Sequence, residues 1–172
     1  AANDWGFVDL NDNGEYAVVG LRNGTAIVEV TDPAAPREVV TIAGNPSAWR
    51  EVKVYQVFDA AAGRWRAFAY VATEPTNSGI QVIDMSGLPQ TAGLAAENRD
   101  TSSQHTLYVS NIDYATNAAL PGMSPVLYVA GSNLNGGSWR AYSLANPAFP
   151  QHLGSGPTTR YMHDSPSFVV TE

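Results

Sequence analysis

A chain of 172 residues, 44 % of them hydrophobic, is long enough to form one domain with a sizeable core. Nine basic residues against sixteen acidic ones give a formal charge of −7, and one of the nine is a lysine; no positive stripe is available to track a phosphate backbone, so nucleic acid is not an expected partner. The lack of cysteine removes disulfides, thiolate nucleophiles and thiolate metal sites, and no apolar run approaches the roughly 20 residues that span a bilayer. The start at Ala1-Ala2 suits a mature chain trimmed after small residues, and equally an expressed or proteolysed fragment.

Fifteen glycines, eleven prolines and short apolar runs predict an all-β fold of short strands and tight turns. In chain order, strands are expected over 5–9, 16–20, 26–30 and 38–42, with a turn over 9–14. Asn23-Gly24 is expected to form a tight hairpin turn through positive φ angles, and Asp32-Pro33 with Pro36 to end the third strand. The pattern then starts again. Tyr16-Ala17-Val18-Val19-Gly20 returns as Tyr70-Val71-Ala72-Thr73 and as Tyr128-Val129-Ala130-Gly131, and further first strands are expected over 52–58 and 106–112. Glu29, Asp84 and Ser143 follow equivalent third strands at spacings of 55 and 59, and Asp32 to Pro36 returns as Asn146-Pro147-Ala148-Phe149-Pro150 at a spacing of 114. The turns at 59–63 and 113–125 differ in length, as insertions in a repeat array do, and 87–103 is expected to be loop-like with a degenerate outer strand.

A four-stranded meander repeated at this spacing predicts a β-propeller of antiparallel blades, with blades over about 4–43, 50–97 and 105–154 and a fourth begun over 163–172. Three blades and one strand do not close a ring of typically four to eight, so residues 1–172 are expected to form a single partial propeller domain. Its open edges call for the remainder of the propeller or for a protein partner.

Aligning the repeats places Arg50, His105 and His163 at one position just before the innermost strand, with Glu51 and Asp164 one residue further on. These residues are expected to converge at one mouth of the propeller channel, on the face that also carries the loops 74–79 and 133–137. Two imidazoles and a carboxylate, His105, His163 and Asp164, are a ligand set for a divalent transition metal; the competing expectation is that polar residues at strand starts tie neighbouring blades together, and Arg50 in the equivalent place would repel a cation. Asp9-Leu10-Asn11-Asp12-Asn13-Gly14 matches the first half of a calcium loop, with Asp9, Asn11 and Asn13 as its alternate oxygens. The twelfth position, Gly20, lacks the bidentate glutamate of such loops, and an Asx-rich hairpin turn explains the same residues. No G-x-S-x-G elbow is present, and Asn135-Gly136-Gly137 joins two strands without leading into a helix, so neither serine hydrolysis nor phosphate cradling is indicated. Trp49, Trp65 and Trp139 lie in or beside apolar strands and are expected to pack blades rather than to form a carbohydrate platform.

The segments EYAVVGLRNGTAIVEVTDP, SAWREVKVY and GIQVIDMSGL, the His105 segment and YMHDSPSFVV fall in an order that resembles the choice-of-anchor B family, bacterial cell-surface proteins built from LVIVD repeats. The resemblance implies an exported propeller held at the cell surface by one of several C-terminal anchors, and it implies no catalytic activity. His163-Asp164 follows the family pattern, whereas His105-Thr106 stands where that pattern commonly has His-Asn. Two functions are therefore expected as alternatives. The first is a non-catalytic binding or scaffolding module at the cell surface or in the periplasm, with no catalytic residue assigned. The second is a metal-dependent hydrolase or oxidoreductase whose site lies at the channel mouth.

Overall fold

A computed structural model describes residues 2–164. Strands and turns account for the fold, with one 3-10 turn at Asn135–Gly137; among the described residues there is no α-helix, and no helix is long and apolar enough to cross a membrane. The first meander comprises β1 (Asp4–Val8), β2 (Glu15–Leu21), β3 (Gly24–Glu29) and β4 (Arg37–Ala43), paired antiparallel in chain order. The second comprises β5 (Arg50–Asp59), β6 (Arg64–Thr73), β7 (Ile80–Asp84) and β8 (Gly93–Asn98), and β8 is the outer strand expected within 87–103. After β9 (Thr106–Ser110), the longest connection carries a small hairpin, β10 (Ile112–Asp113) and β11 (Ala118–Ala119). The third meander is then completed by β12 (Val126–Ala130), β13 (Arg140–Ser143) and β14 (Gln151–Ser155). The strand expected to begin at 163 falls mostly on 165–172, outside the described residues.

The repeat is visible in the backbone as well as in the sequence. Asp4 pairs with Val19, Val52 with Val71 and Leu107 with Val129, so the three first strands enter their sheets in one register. Each meander also breaks register with a bulge facing its outermost strand, at Ile27/Val28, Val82/Ile83 and Ala141/Tyr142. Those bulges are spaced by 55 and 59 residues, the intervals already present between the acidic and polar strand ends. A bulge increases local twist, and its recurrence gives each outer strand the same turn away from the sheet.

The expectation of four strands per unit holds for the first and third sheets, while the middle sheet has six strands in the order β10-β11-β5-β6-β7-β8. The reason is Gln56. This fully buried side chain donates to Val8 O at 2.9 Å and to Thr116 O at 2.7 Å and accepts from Leu10 N, while its own N–H donates to Asn117 O at 2.7 Å. The β10–β11 hairpin is thereby fixed to the free edge of β5 through a parallel bridge at Ala118 and Gln56. Trp5 Nε1 donates to Asn117 Oδ1 at 2.8 Å and ties the same hairpin to β1.

Two apolar layers flank the middle sheet. Period-two alternation along β6 sends Ala67, Ala69 and Val71, alongside Val52 of β5, toward Val18 and Ile27, and sends Phe68, Tyr70 and Ala72 toward Leu107, Leu127 and Val129. Burial on both faces explains why β6 reads as a continuous apolar run while β2 alternates between buried and half-buried residues. The Asn23-Gly24 turn differs from expectation. Leu21 pairs with Gly24, so the two-residue turn is Arg22-Asn23, and neither Asn23 nor Gly24 has positive φ. Gly24 is required by proximity instead, because a Cβ there would run into the Ile42 carbonyl of β4.

Candidate functional site at the strand starts

With Asp4, Val52 and Leu107 in equivalent register, the residues two places before them, Ala2, Arg50 and His105, are equivalent too, and Ala2 N donates to Gly20 O as His105 N donates to Ala130 O. Strand alternation then decides where each side chain goes. Arg50, on the same face of β5 as Val52 and Val54, projects toward the first sheet, and His105, on the same face of β9 as Leu107 and Val109, projects toward the second. Both enter a seam between two sheets. They do not meet.

His105 is the centre of a polar chain. Its Nδ1 lies 2.7 Å from Glu74 Oε1, and its Nε2 lies 2.8 Å from His163 Nε2. The indole of Trp49 stacks on the His105 ring at 5.0 Å and 12°, and Trp49 Nε1 donates to His105 O at 2.6 Å. Thr106 Oγ1 donates to His163 O at 2.8 Å and holds the second imidazole beside the first. A carboxylate can only accept from an imidazole N–H, so the pairing with Glu74 puts the proton of neutral His105 on Nδ1. His105 Nε2 then accepts from His163 Nε2–H, and the lone pair of neutral His163 is left on Nδ1.

Glu74 was not singled out as a partner of His105, since the two are separated by 31 residues and meet only through packing of the second and third sheets. The signal available was the loop 74–79 itself, expected on the same face as 133–137. The structure joins both loops to one short segment: Ser103 Oγ donates to Glu74 O, Ser102 N donates to Asn133 Oδ1 at 2.9 Å, and Asn133 N donates to Ser103 O at 3.1 Å.

Glu51 and Asp164 lie on the far side of the histidines. Together with Lys53, Tyr108 and His163 they line an open cleft of about 350 Å³. Glu51 is buried, forms an ion pair with Lys53 and accepts from the Asn3 amide. The Lys53 ammonium also sits 4.6 Å from the centroid of the Trp5 ring. Among the described residues, no three His, Cys, Asp or Glu side chains group closely enough to hold a metal ion.

Arg50 is set apart from this cluster. Its guanidinium, 1 % exposed, donates through Nε to Leu21 O at 2.9 Å and through Nη2 to Asn45 O at 2.6 Å. Burial pulls its pKa below the ordinary arginine value.

The 9–14 loop closes on itself. Asp9 Oδ1 accepts from both Asn11 N and Asn11 Nδ2, Asn13 N donates to Asp9 O at 2.9 Å, and Asn13 adopts φ 63°. Asn11 also reaches the second sheet, accepting from Trp65 N and donating to Trp65 O. Its amide is thus committed to a bridge between hairpins, while the bond from Asn11 N to Asp9 Oδ1 makes the Asx-turn. Comparison of the chain with protein-family models, with curated proteins and with solved structures finds no match in any of the three.

Proposed function

We propose that the chain is a segment of an exported β-propeller of the LVIVD-repeat kind, acting as a non-catalytic binding or scaffolding module at the cell surface or in the periplasm. The observation that carries the reading is the side-by-side packing of the first strands, with β1 and β2 against β5 and β5 and β6 against β9. Radial stacking of meanders through their first strands is the propeller arrangement. Equal register and equally placed bulges in all three meanders support it further.

Both outer sheets keep an apolar face that no other sheet covers among the described residues. Ala17, Val19 and Val28 alternate outward from the first, and Val126 and Tyr128 from the third, all half-buried. Further meanders, from the remainder of the propeller or from a partner chain, are the occupants this reading requires. Analytical ultracentrifugation of the purified chain tests it. Concentration-dependent association is expected, and a monomer that unfolds in one cooperative step and leaves hydrophobic dyes unbound overturns it.

A second reading, a metal-dependent hydrolase or oxidoreductase, draws on Glu74. A carboxylate behind the imidazole Nδ1 is the arrangement that orients histidine ligands toward a metal. His105 and His163 would supply Nε2 atoms to a divalent transition metal, with Asp164 on the cleft side. Metal analysis after dialysis against zinc separates the readings: retention of one equivalent that is lost in His105→Ala and His163→Ala supports the second, and no retention removes it.

A further inference from the structure

The seam between the first two sheets holds a second open cleft, of about 360 Å³, lined by Gly44, Arg50, Thr73, Ser78 and Gln81 among others. Three features of it are unusual together. Arg50 is buried and, among the described residues, no carboxylate lies within ion-pair distance of it, so its charge is met only by the carbonyls of Leu21 and Asn45. Those two bonds use two of the five guanidinium N–H groups. Gln81 donates to Ala43 O at 2.9 Å, yet its Oε1 is buried and has no hydrogen-bond partner among the described residues. Gly44 holds the space between them open, since a Cβ there would lie 2.8 Å from Arg50 Nη1 and 3.0 Å from Gln81 Oε1.

A buried cation without a counter-ion and a buried acceptor without a donor each carry a desolvation penalty, which a ligand bearing the complementary groups would relieve. The charge of the Glu97 carboxylate at the rim is offset by its ion pair with Arg99, which lines the same cleft. From this geometry we propose that the Gly44, Arg50 and Gln81 cradle binds a small carboxylate carrying an adjacent hydroxyl. The carboxylate takes the free N–H groups of Arg50, and the hydroxyl donates to Gln81 Oε1. The ligand class deepens the binding-module reading, while the cleft lies wholly between the first and second sheets. Loss of anion binding and loss of the incomplete ring are therefore separate results.

The test is calorimetric titration of the purified chain with glycolate, propionate and glycolamide. So small a ligand is expected to bind with millimolar affinity, and titration to about 10 mM covers that range. Glycolate is expected to bind, propionate about tenfold more weakly for want of the hydroxyl, and glycolamide not at all. Gly44→Ala is expected to abolish glycolate binding without unfolding the protein, because Gly44 is outside the positive-φ set and its new methyl meets only side-chain ends. Arg50→Gln is expected to abolish it too, and Gly44→Ala carries the test where that variant does not fold. Failure of the wild-type chain to bind glycolate, or undiminished binding by Gly44→Ala, overturns the proposal. Equal affinity for glycolate and propionate overturns the role of Gln81.

Discussion

His105 and His163 face each other through their Nε2 atoms at 2.8 Å. Two neutral imidazoles can hold that distance only if one donates and the other accepts, and Glu74 on the far nitrogen of His105 selects which. The expected neutral-state tautomers are Nδ1–H for His105 and Nε2–H for His163. Long-range 1H–15N correlation spectra report them directly. In Glu74→Ala the preference at His105 is expected to be lost while the sheet amide resonances stay in place; an unchanged tautomer would show that Glu74 does not set it.

Tyr16 lies in the first apolar layer at 1 % exposure, stacked on Phe7, and its hydroxyl has no partner among the described residues. Burial, with Asp12, Glu29 and Asp9 nearby, pushes its pKa up from 10.0 to about 12. A raised folded-state pKa contributes stability that is fully present below the unfolded value and lost as pH rises through the folded one. The chain is therefore expected to lose stability between pH 10 and about 12. Tyr16→Phe removes a buried unpaired hydroxyl; at pH 7 it is expected to be neutral or stabilising by up to about 1 kcal/mol, and to lessen the alkaline loss. Denaturant melts at the two pH values measure both effects.

Asp84 ends β7 and accepts from Ser86 N, Ser86 Oγ and Arg66. Partial desolvation raises its pKa, but the Ser86 and Arg66 interactions outweigh it and leave the carboxyl below its ordinary 3.8. A depressed folded-state pKa contributes stability present above the unfolded value and lost as pH falls through the folded one. Asp84→Asn is expected to lower the melting temperature at pH 7, with the gap to wild type closing as pH drops below 3.8. A gap that stays constant with pH would exclude the charge as its cause.

Gln56 satisfies Val8 O, Thr116 O and Leu10 N from a fully buried position. Gln56→Leu keeps the approximate volume and strands those groups, at an expected cost of roughly 2–4 kcal/mol in denaturant unfolding. Amide exchange is expected to rise first at the β10–β11 hairpin, which Gln56 holds to β5. Protection there equal to wild type would mean that backbone pairing alone holds the hairpin.

The sequence alone determined the four-strand period, its spacings and the positions of the meanders. These depend on local chemistry: β-branched and aromatic runs favour extended backbone, and Asp-Pro, Asn-Pro and glycine end it. It also placed His105 and Arg50 in equivalent positions, because repeat spacing is a property of the chain itself. The turn at Arg22-Asn23 was displaced by one residue because cross-strand register, not dipeptide preference, chose the pair at Leu21 and Gly24. Only tertiary structure decided what the equivalent residues do. Side-chain alternation and the packing of neighbouring sheets brought Glu74 and His163 to His105, and the same packing sealed Arg50 away beside Gln81 and Gly44. No local pattern encodes either meeting, because each partner belongs to a different sheet and distance along the chain carries no information about distance across a seam.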